Sequence, residues 1–284
     1  MTVETSAPLA PDWLVGLWRR ESFTLSDGTV DRTTRVYWGQ TKTLYVDIRI
    51  PADRPRLPGR RSFGELTRAE IRHLAGQQGF AGHITVVDSQ CTWFREVDYQ
   101  PDTGRPDTGR LRLEGDVLYE VGEAASVIGS GYEEVYQRER RGEERRAALR
   151  LVGAQGSEFG GEAARGAILV ILDDRFLFAR PRPVRLPRAS RLQDLIDAAG
   201  DDRARIQAYL DCEIAMGSIG APGPWVIELS TIPSREGDRL FASADIAFDD
   251  SGKIMQLHCA NGASQWHIVE STVSADALAA LFGI

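Results

Sequence analysis

Three side chains in the first half of the chain are candidates to move a proton: Asp47, His83 and Glu120. Asp47 lies in LYVDIRIP (Leu44–Pro51), His83 opens HITVVDS after a glycine-rich turn, and Glu120 stands between Tyr119 and Val121 in VLYEVG. An imidazole titrates near neutrality, and a carboxyl taken out of water has its pKa raised. Any of the three could therefore act as a general acid or base. The plainer reading of Glu120 is a strand glutamate facing solvent.

A binding set overlaps with these. Alternation along a strand sends every second side chain to the same face. Tyr45, Asp47 and Arg49 then share one face and Val46, Ile48 and Ile50 the other. In CTWFREVDY, Trp93, Arg95, Val97 and Tyr99 share a face, and Trp38 and Gln40 share parity in the preceding strand. With the aliphatic face packed outward under a helix, Trp38, Gln40, Tyr45, Asp47, Arg49, Trp93 and Arg95 line a polar, aromatic-walled interior. Such a pocket suits a small, partly apolar ligand, and its two guanidiniums would complement an anionic one. The competing reading is the default for a half-exposed antiparallel sheet: Asp47 and Arg49 pair on a solvated face while the aliphatic residues form the core. Arg49 and Arg180, each just before a proline turn, are read as braces bonding backbone carbonyls.

Other chemistries find no support in the sequence. Asp-Thr-Gly occurs twice in DTGRPDTGR (Asp102–Arg110), but Pro106 separates the copies and the apolar flanks of an aspartic-protease site are missing, so the stretch is read as a turn. There is no HxH, HExxH or Cys/His cluster to bind a metal, and His73, His258 and His267 are isolated. No nucleophile elbow, Walker or dinucleotide fingerprint calls for a cofactor. Tyr132–Gly153 is dense in charge of both signs and is read as an exposed strand and linker rather than a basic patch.

The elements that must position these residues occur twice. A strand ending in arginine, a proline turn, a helical insertion, a tryptophan-bearing strand and a proline recur in one order. Arg49 returns as Arg180, Trp93 as Trp225 and Pro101 as Pro233. Ser26–Thr29 and the turn at Gly252 read as hairpins. Ser62, with Glu65 three residues on, caps a helix over 62–78, and SADALAALFGI ends the chain as a short helix on a barrel end. Many short strands with Gly, Asp and Pro at their joints and no βαβ alternation predict a mainly β protein. The reading is two tandem antiparallel barrels, each with a helix inserted after its third strand. Residues 1–12 form a disordered lead-in, 13–142 the first barrel and 143–284 the second.

The runs WRRESF (Trp18–Phe23), VYWGQTKTLYVDIRIP (Val36–Pro51), QQGFAG (Gln77–Gly82), CTWFREVDYQP (Cys91–Pro101) and LYEVG (Leu118–Gly122) make the chain resemble a fungal and bacterial family of tandem calycin-like, that is lipocalin-like, double barrels. The resemblance implies a fold and an internal cavity; it implies no reaction. In the second copy Phe176, Phe178 and Arg180 replace Tyr45, Asp47 and Arg49, while Trp225, Ile227 and Leu229 replace Trp93, Arg95 and Val97. The polar set belongs to the first barrel.

A net charge of −7 disfavours nucleic acid or an anionic membrane as partner. No apolar run is long enough to cross a bilayer, and the N-terminus lacks a signal-peptide pattern. The cysteines, Cys91, Cys212 and Cys259, are odd in number and far apart, as in a reduced cytoplasmic protein. The first functional reading is a small-molecule-binding protein. The second is a cofactor-independent acid–base enzyme (isomerase, cyclase, lyase or hydrolase) using the same pocket. The third is an interaction module using sheet edges and the charged 132–150 segment.

Overall fold

A computed structural model describes residues 9–55, 57, 63–122, 131–156, 164–220, 225–241, 244–259 and 262–282. The first half runs β1 (Gly16–Leu25), β2 (Val30–Asp31), β3 (Arg35–Gln40), β4 (Tyr45–Ile50), α1 (Arg68–Leu74), β5 (Gln78–Val87), β6 (Gln90–Asp98), β7 (Asp107–Glu114), β8 (Val117–Gly122) and β9 (Tyr132–Arg140). These pair in the order β2-β1-β3-β4-β5-β6-β7-β8-β9, and β9 returns to pair with β1. With β2 hanging from β1 alone, the other strands close into an antiparallel barrel of eight, which leaves no free edge.

The second half runs β10 (Arg146–Gly156), β11 (Ile168–Leu172), β12 (Arg175–Arg180), α2 (Leu192–Ala198), α3 (Arg203–Leu210), β13 (Glu213–Ile219), β14 (Trp225–Ser230), β15 (Ala244–Phe248), β16 (Ile254–Cys259), β17 (Gly262–Ser271) and α4 (Ala275–Phe282). Its strands form one sheet of eight in the order β14-β13-β12-β11-β10-β17-β16-β15. The edge strands do not pair with each other; the segment after β14 folds back instead, with Leu240 N donating to Trp225 O at 2.8 Å. The inner faces gather Phe176, Phe178, Trp225, Met255 and Trp266 into one cluster, and α4 adds Leu278, Leu281 and Phe282 to it. Trp225 Nε1 donates to Leu281 O at 2.8 Å, fixing the helix over that cluster.

The two sheets meet through the aliphatic face of β4. Val46, Ile48 and Ile50 pack with Ile168, Val170, Leu177 and Ile214 and with residues of all three insertion helices. Every residue of β4 is buried, so both of its faces are covered and the solvated-face reading of Asp47 and Arg49 is overturned. The approach is close enough that a Cβ on Gly39 would lie 2.5 Å from Leu177 Cδ1. Leu66, Ile71 and Leu74 share this cluster with Leu192, Ile196, Ile206 and Leu210, so the insertions of both halves pack together.

Three local expectations change. The chain from Ala10 on is anchored rather than loose: Ala10 is buried in the barrel and its N–H donates to Lys42 O at 2.8 Å. Residues 1–8 lie outside the described ones. The first insertion is broken, a 3-10 turn at Phe63–Glu65 preceding α1, and α1 has a capping box of its own, built by Thr67 and Glu70. Ser62 lies outside the described residues. Thr67→Ala should cost about 1 kcal/mol in urea denaturation, the usual value of a lost N-cap, with the slope of the transition unchanged. The charged Tyr132–Gly153 stretch is not a linker: β9 pairs on both sides, with β8 and β1, and β10 is a central strand of the second sheet. Tyr132, Glu134 and Tyr136 are buried.

Candidate functional site

The barrel interior is built by successive cross-strand neighbours. Trp18 faces Trp38, Trp38 faces Asp47, Asp47 faces Phe80 and Phe80 faces Asp98. One register further along, Gln40 faces Tyr45, Tyr45 faces Gly82 and Gly82 faces Arg95. The inward parity of Tyr45, Asp47 and Arg49 thus follows from an uninterrupted six-residue strand.

Glu134 is the electrostatic centre. It is 0% exposed, and its Oε1 accepts from Arg20 Nη1 at 2.6 Å and Arg49 Nη1 at 2.9 Å, while Tyr136 Oη donates to Oε2 at 2.5 Å. Arg49 also clamps Asp47 through Nε at 2.8 Å and Nη2 at 3.3 Å, and Arg20 reaches Asp31 at 2.8 Å. Burial opposes ionisation of Glu134, but Arg49 and Arg20 outweigh it and hold its carboxyl below the ordinary value of 4.5. Asp47 is pushed up by burial despite Arg49. Among the described residues Arg49 bonds side chains and no turn carbonyl. Arg180 does touch Pro181 O at 3.3 Å, but its shorter bond, 2.5 Å, goes to the Asp211 carboxylate.

Arg95 organises the other wall. Nε and Nη2 donate to Asp107 Oδ2 at 2.9 and 2.7 Å, Nη1 reaches Asp98 Oδ2 at 3.1 Å, and the guanidinium lies 3.7 Å from the centre of the Phe80 ring. Asp98 reaches Arg95 because the pairing of β5 with β6 shifts register between Ala81 and Gly82. The shift reverses the expected parity of Val97 and Tyr99, which point outward into the inter-sheet cluster. Asp107 corrects the turn reading of the second Asp-Thr-Gly: it opens β7 and is buried, whereas the first copy remains a turn around Gly104.

The pocket that these groups line at its inner end, and that runs out to a mouth between the two halves, has a volume of about 540 Å³. Of the expected binding residues, Trp38, Arg49, Trp93 and Arg95 line it, together with Phe80, Asp98, Asp107, Glu120, Tyr132 and Tyr136. Gln40, Tyr45 and Asp47 are not among its lining residues. Gln40 fixes Trp38 instead, accepting from its indole Nε1 at 3.2 Å and donating to Thr41 O at 2.8 Å. Tyr45 Oη is buried without a hydrogen-bond partner. Trp38 meets Trp93 edge-on at 5.7 Å and Tyr136 edge-on at 6.0 Å, which fixes the indole between them. At the mouth, Gln100–Asp107 of the first half faces Ser190, Arg191 and Gln193 of the second, and Leu192 N donates to Gln100 Oε1 at 2.9 Å.

Of the three proton-carrying candidates, Glu120 alone reaches the cavity. His83 lies against the outer face, stacked on Phe94 at 4.7 Å and bonded to Glu96 Oε1 at 3.1 Å. Glu120 is 5% exposed; its Oε1 accepts from Tyr132 Oη at 2.9 Å. Burial, and then the negative charge of Glu134, push its carboxyl well above the ordinary 4.5. A carboxyl raised in this way keeps a proton that the unfolded chain releases above pH 4.5, so it lowers stability progressively as pH rises through that interval. Glu120→Gln should match the parent below pH 4.5 and become the more stable protein as pH rises, measured by urea denaturation at a series of pH values.

Glu134, Asp98 and Asp107 are the interior groups that the sequence reading passed over. The alternation Tyr132, Glu134, Tyr136 is a period-two signal, masked by the arginines and glutamates that follow it. Among the described residues, no group of three or more His, Cys, Asp or Glu is arranged to hold a metal ion, and no helix is long and apolar enough to cross a membrane.

No family model matches the chain, and no curated protein matches it. Among solved structures, a lipocalin-like protein from Bacteroides uniformis is 13% identical, with a TM-score of 0.27, over 45% of this chain and 100% of its own. An uncharacterized protein from Bacteroides eggerthii is 12% identical, with a TM-score of 0.28, over 44% of this chain and 98% of its own.

Proposed function

We propose that this chain is a small-molecule-binding protein and that its site is the cavity of the N-terminal barrel. The carrying observation is the cavity itself: about 540 Å³ walled by Trp38, Phe80 and Trp93 and carrying Glu120, Arg49 and Arg95. That volume falls in the usual range for ligand sites, and such sites are largely apolar with a few fixed polar groups. The polar groups here are held before any ligand arrives, since each guanidinium is anchored on carboxylates. In this reading Trp38 and Trp93 grip the apolar part of the ligand, Arg49 and Arg95 set the polar wall, and Gln40, Tyr45 and Asp47 act from behind by fixing the side chains in front.

The same reading takes the chain as an internal duplication, with calycin-like units at 13–142 and 143–284. Its support is the matching register shift in the two halves, at Ala81/Gly82 and at Met216/Gly217. In the second unit the matching positions, Phe176, Phe178 and Trp225, join a continuous apolar cluster, so that unit serves as a support. We assign the protein to the cytoplasm on the strength of its buried free thiols, Cys91 and Cys212. Native mass spectrometry of the purified protein should show a bound species of a few hundred daltons, and Trp38→Ala should lose it. A spectrum of bare protein, with no tryptophan fluorescence change across a small-molecule panel, would remove the binding reading.

A further inference from the structure

We propose that the cavity takes a small organic cation, an amine or quaternary ammonium whose charge rests against Glu120 while its apolar part lies along Trp38 and Trp93. The inference rests on the binding reading above and adds the class of ligand.

The charge arrangement carries it. Every interior guanidinium already has two carboxylate partners: Arg49 has Asp47 and Glu134, Arg95 has Asp98 and Asp107, and Arg20 has Glu134 and Asp31. None is left to receive an anion. Glu120 is the reverse case. It lines the cavity, its hydrogen bond comes from the Tyr132 hydroxyl, and it makes no ion pair among the described residues. The groups around it are Glu134 and Tyr132 on β9, Asp107 on β7, Cys91 on β6 and Arg49 on β4. Arg49 and Arg20 are taken up by Glu134, Asp47 and Asp31, and Arg95 by Asp98 and Asp107, so no nearby guanidinium is left to pair with Glu120.

The aromatic walls point the same way. Indole faces attract cations most strongly when both partners are shielded from water. The barrel already uses this pairing, since Arg95 and Arg49 sit 3.7 and 5.1 Å from the Phe80 ring centre. Trp38 and Trp93 line the same space, and among the described residues no guanidinium lies over either ring. A carboxyl and two indoles lining one pocket are a recognition set for a cation with an apolar body. Burial, and then the charge of Glu134, push the Glu120 carboxyl above its ordinary value. An arriving cation favours the ionised carboxylate, so cation binding and release of the Glu120 proton to solvent are linked.

The test is titration calorimetry of the full chain near pH 7 with benzylamine, benzyl alcohol and phenylacetate, which are cationic, neutral and anionic. Benzylamine should bind at least about tenfold tighter than benzyl alcohol, and phenylacetate should give no binding heat. The benzylamine enthalpy should vary with the ionisation enthalpy of the buffer, in the sense of proton release. Glu120→Gln, checked for folding by its thermal melt, should bring benzylamine down to the affinity of the alcohol and leave the alcohol unchanged. Equal or tighter binding of the alcohol or the acid, or a Glu120→Gln variant that keeps its amine affinity, overturns the cation assignment while leaving the binding reading in place. Silence from all three probes overturns the cation assignment. If the native mass spectrum also shows no bound molecule, the binding reading falls with it.

Discussion

Glu134→Ala should destabilise the protein by about 3–5 kcal/mol, the loss seen when one partner is removed from a buried ion-pair group and the other is left uncompensated. Two guanidiniums, from Arg20 and Arg49, converge on its Oε1, and the Tyr136 hydroxyl donates to its Oε2. Truncation leaves both arginines out of water, with Asp31 and Asp47 as their remaining carboxylate partners among the described residues. Glu134→Gln should fall between the two, because an amide keeps the shape and one acceptor but not the charge. The pH dependence has a definite sign. The folded carboxyl sits below 4.5, so its stabilisation is fully present above that value and is lost as pH falls through the folded pKa. The gap between parent and Glu134→Ala in urea should therefore narrow in acid. A double-mutant cycle adds a second check. Arg49→Met in the Glu134→Ala background should cost less than Arg49→Met alone, since the partner it would strand is already gone. Additive losses would show that Glu134 and Arg49 are not coupled in the folded state.

How much of this site the sequence revealed depended on strand regularity. Tyr45, Asp47 and Arg49 were readable because β4 runs without interruption, so parity in sequence is parity in space. The choice of face was not readable: the aliphatic side chains looked like an ordinary core, and only the second sheet, packed against Val46, Ile48 and Ile50, turns the polar face inward. That partner lies far along the chain, beyond the reach of local pattern. Parity failed in β6, where Trp93 and Arg95 point in as expected but Val97 and Tyr99 do not. Glu134 escaped for a different reason. Its strand has the alternation of an inward face, but its charge density matches a solvated surface, so composition and period point opposite ways there. A closed barrel full of matched ion pairs is the case in which composition misleads, because charged residues are depleted from interiors only when unpaired.

Gly82→Ala is expected to cost about 3 kcal/mol or more, at the upper end of overpacking losses, because the clash is with backbone rather than with a movable side chain. A Cβ on Gly82 would stand 1.9 Å from Phe94 O and 3.1 Å from Glu96 N, so β5 and β6 could not keep their pairing. Gly217 repeats the arrangement in the second sheet, where a Cβ would meet Val226 O at 1.9 Å. Both glycines sit at the register shift of a hairpin, and both shifts turn the following side chains over: Val97 and Leu229 enter the inter-sheet cluster, while Trp93 and Trp225 stay in their own interiors. A bulge of this kind re-aims side chains without breaking the strand. In the first barrel it does two things at once, sending Val97 and Tyr99 to the interface and bringing Asp98 to Arg95. The two substitutions should therefore separate. Gly217→Ala should lower the urea midpoint while ligand affinity per folded molecule stays the same. Gly82→Ala should lower the midpoint and also weaken binding, because the Arg95–Asp98 wall of the cavity moves with the strand. Equal affinities in the two folded variants would show that the bulge holds the interface alone and that the wall is set by Asp107.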